Sequence, residues 1–177
     1  MIYNQSCRAE HNAMNLIETL QALSRENVDF VLVGGLAVSL HGVVRGTMDV
    51  DIVLAMNDSN LDRFIETARK LGLRPLLPVA IDSLKNADLL EQWHREKNML
   101  AFSLRPERPE DAVIDVLIRP VASYTEMAAQ AVHMDVGGVQ IPVASIEHLI
   151  EMKSSADRDI DRFDVDALRR LGGGRNA

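Results

Sequence analysis

The 177-residue chain has a single cysteine, Cys7, which excludes an internal disulfide and a cysteine-built zinc site. It is also short of positive charge. With 19 Lys and Arg against 26 Asp and Glu, the net charge of -7 argues against broad, sequence-blind binding to DNA or RNA, which needs a basic surface. Long hydrophobic runs are missing too. The most apolar stretch, Phe30 to Val44, is broken by Gly34, Gly35, Ser39, His41 and Gly42 and is too short to span a membrane. The opening "MIYNQSCRAEHNAMN" lacks the basic-then-apolar layout of a secretory signal, so a cytoplasmic location is the expectation. No repeat or low-complexity segment is visible. Hydrophobic residues at 47% and charged residues at 25% are ordinary for a folded globular chain.

The hydrophobic spacing predicts a helix from about Met14 to Glu26, where Leu16, Ile17, Leu20 and Leu23 share one stripe. "VDFVLVG" reads as a buried strand that stops at glycine, and "GLAVSLHG" as a short helix beginning at the glycines. "TMDVDIVLA" alternates, with Asp49 and Asp51 on one face of a strand. A helix follows in "NDSNLDRFIETARKLG", with Asp58 or Ser59 as its cap. "SLKNADLLEQWHRE" is expected to be one helix with room to project from the sheet. "NMLAFSL" and "DAVIDVLI" read as strands separated by the turn-rich "RPERPE". "AVHMDV" and "VQIPV" form a hairpin about Gly137-Gly138, and helices run from Ile146 to about Ser155 and from about Asp161 to Leu171. This order implies an α/β (α+β) chain: a mixed β-sheet flanked by helices, with a C-terminal helical appendix. The glycines lack the G-x-G-x-x-G spacing of a dinucleotide-binding fold.

Within this frame one constellation carries chemistry. Asp49 and Asp51 are two residues apart on a strand, so their carboxylates point the same way and repel unless hydrated or bridged by a cation. Mg²⁺ is the hard, oxygen-seeking ion that bridges carboxylates to substrate phosphates. Asp115 stands alone in "VIDVLI", and an aspartate inside an apolar strand is expensive unless paired or ligating. If its strand lies beside the first acidic strand, three carboxylates converge for in-line displacement at phosphorus. Gly34 and Gly35 open a helix whose N–H groups can meet an anion. The alternatives are solvent-facing strand acids and a plain structural turn.

"VGG", then residues 36–48, then "DVDI", then "IDV" further on, resembles the signature of the DNA polymerase β-like nucleotidyltransferase superfamily. More narrowly, "GGLAVSLHGVVRGTMDVDIVL" with "VASIEHLIEMKSSADRDIDRFDVDAL" resembles the AbiEii-type nucleotidyltransferases, toxins of type IV toxin–antitoxin and phage-defence modules. The resemblance covers roughly Asn15 to Leu171. It implies a nucleotidyltransferase fold: a single domain over 1–171, with its core at about 14–143, C-terminal helices at about 145–171 and a flexible tail at 172–177. It also implies that Gly34 and Gly35 cradle nucleotide phosphates and that Asp49, Asp51 and Asp115 ligate metal, Asp115 doubling as the base for an incoming hydroxyl. Arg45 and Thr47 fall in the family's "R-x-T-x-D" lead-in, and Lys153 in its C-terminal helix. Arg45 and Lys153 would contact phosphate. Asp161 and Asp164 match its acidic final helix, but Ile160 stands where relatives commonly place lysine.

The implied activity is nucleotidyl transfer from an NTP to a hydroxyl on an RNA or tRNA end, a protein or a small molecule, with a two-metal Mg²⁺ site that also accepts Mn²⁺. A cognate antitoxin is an implied partner. The alternative from another class is a catalytically weak nucleotide-binding protein that acts in a complex; a phosphohydrolase is a third. His41 has a structural reading beside a nucleotide contact, and "QWHREK", Gln92 to Lys97, an RNA-contacting reading beside a solvated face over a buried Trp93. Lys153 reads equally as solvent-facing or as a phosphate contact.

Overall fold

The computed structural model describes residues 16–47, 49–106, 112–156 and 159–173. The expected helix start at Met14, most of the "RPERPE" turn and the end of the "GGGRNA" tail lie outside these residues. Helix α1 covers residues 16–25, burying Leu16, Leu20 and Leu23 as the stripe predicts. Strand β1 (Phe30–Val33) is buried at every position, and α2 (Gly34–Leu40) starts without an intervening loop. Next come β2 (Val50–Leu54), α3 (Asp58–Lys70) and a two-residue strand β3 (Arg74–Pro75). After a 3-10 turn at Ile81–Lys85 the order is α4 (Ala87–Lys97), β4 (Ala101–Arg105), β5 (Ile114–Leu117), α5 (Tyr124–Ala129), β6 (Val132–Val136) and β7 (Val139–Val143). Helices α6 (Ile146–Ala156) and α7 (Asp159–Gly173) close the chain.

The strands form one mixed sheet in the order β3-β4-β5-β2-β1-β7-β6. β1 runs antiparallel to β2 and parallel to β7, and β2 runs parallel to β5. Register decides what each face carries. Val33, Asp51, Asp115 and Ser103 pair in turn across β1, β2, β5 and β4, so their side chains share a face. Leu32, Ile52, Val116 and Phe102 form the next row and point to the opposite face, where all four are almost fully buried. No helix among the described residues is long and apolar enough to cross a membrane.

Several elements differ from the sequence expectation. The predicted helix through "SLKNADLLEQWHRE" is divided at Asn86, whose side chain accepts the Leu89 N–H at 3.0 Å and caps α4. That helix does not project. It lies on the sheet, with Trp93 stacked on Phe102 at a ring separation of 6.4 Å. Asn57, rather than Asp58 or Ser59, caps α3 by accepting the Asn60 N–H at 3.0 Å. β3 and α5 have no counterpart among the expected elements. α5 carries a reciprocal capping box in which Ser123 and Glu126 satisfy each other's backbone N–H, a signal present in the sequence as S-x-x-E. The last helix starts two residues before Asp161 and ends two after Leu171.

Candidate active site

The site grows from the row that contains Asp51 and Asp115. Their strands are hydrogen-bonded neighbours, so two carboxylates sit side by side on a half-buried surface. The Asp51 carboxyl is pushed up from its ordinary 3.8 to about 6 by burial first and by the Asp115 charge second, with Asp49 adding to the rise. The Gly35 N–H and the Lys153 ammonium oppose that shift. Asp49 is also raised, by burial and then by Asp115. It stands just before β2 rather than within it and is exposed at the mouth of the site. Oδ1 of Asp115 is buried with no hydrogen-bond partner, which leaves one oxygen of this acid available to a ligand.

The glycine pair has a direct geometric cause. Gly34 adopts φ +67, and a Cβ on it would fall 1.9 Å from Oδ2 of Asp51. Only glycine permits both that backbone and that approach. The neighbouring Gly35 donates its N–H to the Asp51 carboxylate, and a Cβ there would lie 3.0 Å from Thr47 Oγ1 and 3.1 Å from Arg45. The start of α2 therefore first accommodates Asp51, Arg45 and Thr47. Ser39 Oγ ties α2 to the following loop by donating to the Gly35 and Arg45 carbonyls, at 3.1 and 3.3 Å.

Arg45 and Lys153 are neither solvent-facing nor loose. Arg45 forms an ion pair with Asp164, and Lys153 Nζ lies 2.8 Å from Asp161 and 3.1 Å from Asp164. Both aspartates are fully buried. The cluster joins the loop before β2 to α6 and α7, so the C-terminal helices hold the cations of the site. Ile160 lies on the exposed side of α7. His41 takes its structural role: Nε2 donates to the Ala144 carbonyl at 2.8 Å. Trp93 is buried against Phe102, consistent with a solvated face for "QWHREK".

Gly34, Asp51, Leu117, Met152, Lys153 and Asp161 line one cleft of about 190 Å³. Thus Gly34, Asp51 and Lys153 meet in one space, with Gly35, Arg45 and Thr47 packed beside it and Asp115 paired to Asp51. Among the described residues no three carboxylate, imidazole or thiol groups form a ready-made metal cage. The donor set still suits a hard divalent cation. Two adjacent carboxylates, one raised by burial and by the other's charge and one with an orphaned oxygen, form an incomplete oxygen shell that substrate phosphates would finish. Leu117 and Met152 were not foreseen in the sequence, because nothing in an apolar spacing says which side chain borders a cleft.

No protein-family model matches the chain, and no curated protein matches its sequence. Solved structures do resemble it. The lincosamide antibiotic adenylyltransferase LnuA, with lincomycin bound, superposes with a TM-score of 0.58 at 17% identity, covering 89% of this chain and 96% of that one. ANT(2")-Ia, in complex with adenylyl-2"-tobramycin, gives a TM-score of 0.56 at 16% identity over 93% of this chain and 98% of that one. The chain has the nucleotidyltransferase fold.

Proposed function

We propose that the protein is a nucleotidyltransferase that moves a nucleoside monophosphate from an NTP to a hydroxyl group and releases pyrophosphate. The observation that supports this most directly is the Asp51–Asp115 pair in register beside Gly34, with Lys153 across the same cleft. The acceptor oxygen forms a bond to the α-phosphorus while the bond to the β-bridging oxygen breaks. Asp115, with its unpartnered Oδ1, takes the hydroxyl proton. Arg45 and Lys153 face the negative charge of the leaving pyrophosphate, and Gly34 and Gly35 keep the backbone close enough to meet it. Asp49, Asp51 and Asp115 would hold Mg²⁺, or Mn²⁺ in its place, which when bound neutralises the triphosphate and polarises the phosphorus.

The AbiEii-type placement rests on the motif resemblance alone, and with it a toxin role, an RNA or protein acceptor and a cognate antitoxin. The likeness to enzymes that act on a lincosamide and on tobramycin, together with the acidic net charge, favours a small hydroxylated acceptor. Incubation with each α-labelled NTP and Mg²⁺, offering small hydroxylated compounds, total RNA and lysate as acceptors, tests the reading. Label that disappears in the Asp49→Asn, Asp51→Asn double variant supports transfer. Nucleotide binding with no label on any acceptor leaves the nucleotide-binding partner reading instead.

A further inference from the structure

Beyond the acids the same face of the sheet continues into a second recess of about 620 Å³. That volume is in the range of sites for drug-sized molecules, roughly 300–1,000 Å³. Val53 is two residues past Asp51 and Leu117 two past Asp115, so both stand on the acid-bearing face, displaced roughly 7 Å along the strands. Val31 pairs with Val53 as Val33 pairs with Asp51, which puts this displacement on the side away from Gly34. Leu117 lines both the recess and the acid cleft, making them adjoining compartments.

We infer that this recess is the acceptor subsite of the proposed transferase, and that it takes a small hydroxyl-bearing molecule with an apolar face and no negative charge. The inference rests on the transferase reading for the direction of the reaction. In-line displacement puts the attacking and leaving oxygens on opposite sides of the phosphorus, with the ribose to one side. In the proposed reaction Arg45 and Lys153 take the pyrophosphate end, which leaves the space past Leu117 to the attacking group. Its lining chemistry selects the class. Val53 and Leu117 make an apolar floor, Met56 adds an apolar rim, and Tyr124 and Thr125 offer hydroxyls. Among the described lining residues there is no lysine or arginine, and the charged one, Asp29, is paired to Arg63 at 2.9 Å. A polyanion such as an RNA end finds no counter-charge there.

The test measures binding to the full-length protein without relying on turnover. Calorimetric titrations use octyl β-glucoside below its micelle concentration, adenosine, a short oligoadenylate and Mg²⁺-ATP. Each is run on the wild type and on Met56→Trp and Thr125→Trp, two half-open rim positions where an indole would fill the recess. Octyl β-glucoside should bind the wild type and weaken at least about tenfold in both variants, with unfolding temperature and ATP affinity preserved. The oligoadenylate should show no binding that the variants alter. Equal glycoside binding by all three proteins, or none by the wild type, overturns the assignment. So does displacement of the glycoside by adenosine, which would make the recess a nucleoside site, or oligoadenylate binding that the variants abolish. Failure of the wild type to bind ATP would instead sink the transferase reading, while the glycoside titrations still decide whether the recess binds such a molecule.

Discussion

Asp51 packs so closely on Gly34 that position 34 has no room for a side chain: the Cβ that glycine lacks would sit 1.9 Å from the Asp51 carboxylate. Gly34→Ala should therefore lose stability both to the clash and to the left-handed backbone, at least about 2 kcal/mol together. Adding Asp51→Gly, which removes the Asp51 Cβ 2.7 Å from that position as well as the carboxylate, should restore the clash component and leave about 1 kcal/mol of backbone cost at position 34. Denaturant unfolding of the two single variants and the double variant measures the coupling. Strictly additive losses would refute it.

The raised Asp51 carboxyl makes a signed statement about pH. Its folded value of about 6 lies above the ordinary 3.8, so the folded chain holds this proton more tightly than the unfolded one. Stability from this group is complete below the unfolded value and is lost as pH rises through the folded one, a deficit of roughly 3 kcal/mol at neutral pH. Asp51→Asn should accordingly raise the unfolding temperature of the metal-free protein at pH 8 and leave it nearly unchanged at pH 4. Thermal scans at both values check the sign.

Lys153 is shared by two fully buried carboxylates, Asp161 and Asp164. Replacing it with methionine removes that cation and should cost about 3 kcal/mol, because breaking a buried ionic group is far worse than never building one. Hydrogen exchange should show α7 (Asp159–Gly173) losing protection first. Unchanged α7 protection would mean that Arg45 alone holds the helix.

Trp93 packs on Phe102, on the face opposite the acids. Trp93→Ala should destabilise by about 3 kcal/mol while the folded fraction keeps its nucleotide affinity. Weaker nucleotide binding at matched folded fraction would revive a substrate-contact role for the "QWHREK" helix.

Much of the fold was legible because local chemistry dictated it. Leu16, Leu20 and Leu23 announce α1, the all-apolar β1 announces a central strand, and lone Asp115 announces a strand with something to meet. Sheet order was not legible, since nothing in "VIDVLI" says that its partner is β2 in parallel. The candidate site was legible as a set of residues to bring together but not as a circuit. Arg45 read as a phosphate contact and Lys153 equally as a phosphate contact or solvent-facing, whereas both are engaged by α7 acids: Arg45 by Asp164, 119 residues away in sequence, and Lys153 by Asp161, 8 residues away.

The amino-acid order by itself determined the element types, the glycines where a backbone must turn, and the three acids. Those follow from periodicity, backbone sterics and the cost of an unpaired charge, all local properties. Tertiary structure alone decided that Asp51 meets Asp115, that Gly34 exists to admit a carboxylate, and that a recess opens past Leu117. Strand register and helix docking set these, and both depend on the summed packing of distant segments rather than on any one stretch.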